Sequence, residues 1–154
     1  MAAALGLPAT PSSEPTRLAW ETLPLLRAWL DRVRTLDASL LTAPTQSRGR
    51  SLRNLTVNVF HPFELLPAAW ATGEFPWEPE RDDERERAWG DVVGYADGVL
   101  GAWTSFVLEQ GEELGERSVR SPRGEISFSA LLDSQRNHIE FHLEQLVAFL
   151  GEQG

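Results

Sequence analysis

A chain of 154 residues with 23 acidic and 14 basic side chains has a net charge of −9. That balance argues against a nucleic-acid reader, which needs clustered cations, and against adsorption to anionic membranes. There is no cysteine, so a thiol nucleophile, a Cys-ligated zinc and a structural disulfide are excluded, and a reducing, cytoplasmic location fits.

One domain with a real core is expected at this length, and six Trp predict a core or pocket with large flat walls. Residues 1–13 read as a loose leader without the basic segment or apolar run of a signal peptide. The domain is expected over 14–151. No stretch reaches the ~18 apolar residues of a membrane span.

The first helix is predicted over 15–38, with Leu18, Leu25, Trp29, Leu30 and Val33 on one side. Pro24 interrupts it, so a kink or a late start is expected. Residues 42–50 read as a loop. A second helix, over 51–71, carries Leu52, Leu55, Val59, Leu66 and Ala69 on its core side, and Pro62 and Pro67 predict a kink or a break. The Pro-rich acidic segment that follows holds Phe75 and Trp77; it reads as a plug for one end of the fold or as a lid over a pocket.

A third helix is predicted from Asp82, acidic at its start and apolar from Trp89 to Val107. Gly90, Gly94, Gly98 and Gly101 each weaken it by about 1 kcal/mol relative to Ala, for which close packing against a neighbour is the expected reason. Residues 111–126 read as a polar link with a short extended piece over 118–123. A fourth helix, capped by Ser127 or Ser129, runs to about Leu150. Four helices with connections of moderate length predict an all-α four-helix bundle.

The last helix has a seam with spacings of three and four: Phe128, Leu131, Gln135, His138, His142, Gln145 and Phe149. Asp133, Arg136, Glu140 and Glu144 occupy the opposite side. Polar groups on a core-facing line are costly unless partnered. Two imidazoles four residues apart share one helix face and are spaced to bind one metal. The same pair reads equally as histidines hydrogen-bonded to neighbouring helices.

With these features the sequence resembles the DinB-like (DinB/YfiT) superfamily of bacterial four-helix bundles. The family's last helix carries H-x-x-x-H followed by Q-[IL], matched by H-I-E-F-H-L-E-Q-L at 138–146 and approached through I-S-F-S-A-L-L-D-S-Q-R-N. The segment L-R-N-L-T-V-N-V-F-H-P-F-E-L-L at 52–66 is similar to the family's second helix, which supplies one more His. The resemblance covers residues 15–150. It implies a divalent metal, zinc or nickel, held by His61, His138 and His142 at one end of the bundle. It also implies a small-molecule substrate and a homodimer. Some members transfer a low-molecular-weight thiol to an electrophile; others are hydrolases or isomerases.

One departure stands out. Asn58 occupies the place of the usual His, and His61 lies a turn later. On an ideal helix His61 is about 100° from the core-facing centre. It is therefore a ligand only if Pro62 distorts the helix or the core face is broad; otherwise the site is weakened or lost, because an amide is a poor zinc or nickel ligand. The two functions to separate are a metal-dependent enzyme, a thiol S-transferase or hydrolase acting on a small electrophile, and a non-catalytic bundle that binds a small molecule or dimerises. An open metal position would activate a thiol or water near neutral pH. Phe60, Trp70, Trp77 and Trp103 are candidate pocket walls or core residues. Glu64, one turn from His61, is a candidate to orient that ligand or a surface carboxylate, and Glu140 falls on the solvent side.

Overall fold

A computed structural model describes residues 13–78 and 90–153. Five α-helices occur among the described residues: α1 Glu14–Val33, α2 Ala38–Thr42, α3 Leu52–Thr72, α4 Val92–Gln110 and α5 Phe128–Gln153. A two-stranded antiparallel hairpin, β1 Ser118–Ser121 and β2 Gly124–Ser127, precedes α5, with Val119 opposite Ile126. Residues 1–12 of the leader expected over 1–13, and the start of the third predicted helix, 82–89, lie outside the described residues. No helix among the described residues is long and apolar enough to cross a membrane.

Local chemistry sets the helix ends. Ser13, Asp37, Ser51 and Asp91 each accept a backbone N–H of the following first turn, satisfying donors that the helix cannot. Gly73 closes α3 at φ 82°, the left-handed conformation that glycine adopts without penalty. Ser127 caps α5, its Oγ accepting the Ala130 N–H at 3.1 Å. Ser127→Ala is expected to lower stability by about 1 kcal/mol, read as an earlier urea midpoint with an unchanged slope.

α1 packs on α4 and α5, and α3 packs on the same two helices. The core between them includes Leu26, Trp29, Leu55, Phe63, Leu66, Trp103, Phe128 and Leu132, all at most 1% exposed. Two buried tryptophans tie helices together by the same device. Trp29 Nε1–H donates to Thr56 Oγ1 at 2.9 Å, and Trp103 Nε1–H to Thr22 Oγ1 at 2.8 Å. Each threonine hydroxyl in turn donates to a carbonyl of its own helix, that of Leu52 or Ala19. The polar atom that each indole brings into the core is thereby satisfied.

Several expectations change. The first helix ends at Val33 and α2 forms separately; Pro24 sits inside α1, and Pro62 and Pro67 inside α3, without ending either helix. The extended piece at 118–123 is the first strand of a hairpin whose partner continues to Ser127. The glycines of α4 do not admit a neighbouring helix. A Cβ at Gly98 or Gly101, or at Gly90 just before the helix, would meet nothing within 4 Å. At Gly94 it would meet the Asp91 carboxylate at 2.5 Å, the side chain that caps α4. Gly94 thus makes room for a cap.

α3 departs furthest from its expected pattern. Residues 55–63 are buried without interruption, His61 and Asn58 included. A helix apolar over most of its circumference is enclosed on all sides. The single core face inferred from leucine spacing is therefore too narrow, and burial of His61 needs no distortion at Pro62.

Candidate functional site

Three non-helical segments line a cavity together with α3 and α5. The first is the 43–51 loop, joined to the start of α3 by a bridge between Pro44 and Ser51. The second follows α3: Phe75 N–H donates to Arg120 O and Arg120 N–H to Gly73 O, both at 2.8 Å, fastening residues 73–75 to β1. The third is the hairpin tip, with Pro122 and Arg123 in its turn. Together they border an open cavity of about 690 Å³, within the range of small-molecule sites.

The seam of α5 forms the cavity floor with Leu131, Gln135, His138 and His142, and α3 contributes Asn58. The two imidazoles meet edge to face, centroids 4.6 Å apart. Trp77 lies over His138 at 5.6 Å, and Phe141 lies beside His142 at 5.3 Å. The Gln145 amide oxygen accepts from His142 Nδ1 at 2.7 Å. That bond places the His142 proton on Nδ1 and leaves Nε2 as the lone-pair nitrogen. One turn away, His138 Nδ1 and Gln135 Oε1 are buried with no hydrogen-bond partner.

Burial, helped by His142 and Arg50, pushes the His138 imidazole down to about 3. Burial also lowers His142, against its hydrogen bond to Gln145 and with help from Arg50. Both rings are therefore neutral at pH 7, the protonation state that a metal ligand or an acceptor requires.

Of the residues singled out in the sequence, His138 and His142 come together in the cavity. Asn58 joins them from α3, whereas His61, buried in the same helix, is not among the lining residues. Among the described residues no group of three or more His, Cys, Asp or Glu side chains gathers as a metal site. Two imidazoles and the Asn58 and Gln135 amides are among the neutral polar groups that line the cavity, beside the Ser47, Ser121 and Ser134 hydroxyls. Two imidazoles fall one short of the three-histidine set that the resemblance implies, and amides are poor zinc or nickel ligands.

Trp77 is the one proposed aromatic wall that lines the cavity. Phe60 and Trp103 are core residues, and Trp70 donates to Gly115 O. In the segment after α3, Phe75 is 2% exposed and plugs the core, while Trp77 covers the histidines. Glu64 is exposed and accepts from the Tyr95 hydroxyl at 2.7 Å. Glu140 is exposed and pairs with Arg136.

The sequence reading missed Arg48, Arg50 and Arg123, which also line the cavity. Their signal was local, S-R-G-R in a tight loop and P-R-G in a hairpin turn, and the chain's net acidity concealed it. Compared with protein-family models, curated proteins and solved structures, the chain matches none of them.

Proposed function

We propose that the chain is a DinB-like four-helix bundle whose His138–His142 pair holds a divalent metal, zinc or nickel, in a cavity for a small-molecule substrate. The observation that carries this reading is the pair itself: two neutral imidazoles 4.6 Å apart, opening on the cavity. The order of the four long helices, with H-x-x-x-H on the last and a polar residue of the second facing the same cavity, supports it. A divalent cation there would act as a Lewis acid and activate a low-molecular-weight thiol or a water. The protein's own part is to hold the ligands neutral, to fix the His142 tautomer through Gln145 and to position an electrophile against Trp77 and Phe141. A second reading, a binding protein without catalysis, is favoured by one fact: the side chain that α3 presents to the cavity is the amide of Asn58 rather than an imidazole.

Elemental analysis and zinc titration of untagged protein test the proposal. About one zinc per chain is expected, absent from His138→Ala and His142→Ala. Gln145→Ala should weaken zinc roughly 10- to 100-fold through loss of the ligand's orienting partner, with the thermal midpoint unchanged. No zinc or nickel on the parent after incubation with either would sink the metal reading and leave the binding one.

A further inference from the structure

We propose that the cavity selects a small organic oxyanion, a carboxylate or a phosphate on an apolar body. This deepens the reading of the cavity as the functional site by naming the class of molecule it takes. The arginines that line the cavity are the first observation. In a chain of net charge −9, the described cavity-lining residues include three arginines, Arg48, Arg50 and Arg123, against one carboxylate, Glu78. Arg48 and Arg50 come from the 43–51 loop and Arg123 from the hairpin turn, so the cations approach from two separate segments. Guanidinium forks match planar oxyanions in geometry as well as charge.

The second observation is the backbone at Arg48. Its φ is 56°, the one left-handed non-glycine residue among those described, beside Gly49 at 72°. The turn is pinned by Thr45 N–H to Arg50 O at 2.9 Å and Arg50 N–H to Ser47 O at 3.0 Å. An asparagine or glycine would occupy position 48 at lower conformational cost, and strain of this kind collects where a side chain is held for a purpose.

The third is the shape of the remainder. Phe75, Trp77 and Leu131 supply apolar wall. Phe141 stands at the rim 58% exposed, an aromatic face that an apolar ligand body would cover. The buried Gln135 Oε1 and His138 Nδ1 have no hydrogen-bond partner and suit an anion that also carries a hydrogen-bond donor.

Calorimetric titration with three probes, 2-naphthoate, 2-naphthyl phosphate and the uncharged 2-naphthamide, tests this on chelator-treated protein and again with zinc added. At least one anion should bind ten-fold or more tightly than the amide without zinc, and which of the two it is identifies the oxyanion. Arg50→Gln and Arg123→Gln should each weaken that anion by about ten-fold and leave the amide unaffected. Arg27→Gln, exposed on α1, should change neither. Arg123 is exposed in a turn, so its variant separates ligand contact from folding. Equal binding of anion and amide, no binding of either anion, or anion binding indifferent to both cavity arginines overturns the proposal. Anion binding that requires zinc and ignores the arginines also overturns it and supports the metal centre alone. Arginine-dependent binding in a protein that takes up no zinc upholds the oxyanion site while the metal reading fails.

Discussion

Trp103→Ala is expected to destabilise the protein by about 4 kcal/mol, measured as the difference in unfolding free energy from urea titrations. Trp103 is fully buried. Its ring stacks on Phe106 with centroids 5.5 Å apart and takes Phe63 edge-on at 5.4 Å. Its Nε1–H donates to Thr22 Oγ1, joining α4 to α1. Truncation removes the transfer free energy of the indole and leaves a void that three helices cannot close. Trp103→Phe separates the contributions: most of the volume stays, the hydrogen bond goes, and a loss of about 1–2 kcal/mol is expected. Thr22→Val removes the same bond from the other side, so the double variant should fall short of the sum by about 1 kcal/mol. Against a total stability of about 5–15 kcal/mol for a domain, the alanine variant stands near the edge of folding at 37 °C. A loss below about 1 kcal/mol would mean that Trp103 does not hold α1 and α4 together.

Legibility followed the number of surfaces that each segment buries. The last helix has one buried line and one solvated side, so spacing alone placed Gln135, His138 and His142 inward and Glu140 outward, as the structure has them. α3 is enclosed all round over residues 55–63, and there a wheel loses its meaning: Asn58 and His61 are both buried, and only the packing decides which of them faces the cavity. The cavity's covers were harder still. Arg48, Arg50, Trp77 and Arg123 come from a loop, a tail and a turn whose positions depend on contacts distant in sequence, such as Phe75 with Arg120. Periodicity carries no information about such contacts. The α4 glycines show the opposite failure, a sequence feature given a packing role where most of them face open space.

Acidification from pH 7 to pH 4 is expected to cost on the order of 3 kcal/mol of stability through His138 alone. In the unfolded chain its imidazole titrates near 6.5; in the folded protein burial, His142 and Arg50 hold it down to about 3. Above pH 6.5 the ring is neutral in both states and the folded protein has its full stability. Between 6.5 and 3 the unfolded chain takes up a proton that the folded one refuses, so stability falls with pH across that window and levels off below it. His142, lowered in the same direction, adds to the slope. His138→Gln removes one titrating group, and its curve of unfolding free energy against pH should be flatter than the parent's by that amount, the two converging near neutrality. Parallel curves would mean that His138 is accessible to protons in the folded state. The consequence for the site is specific: down to pH 4.5, folded protein should show no protonation shift of the His138 ring by NMR.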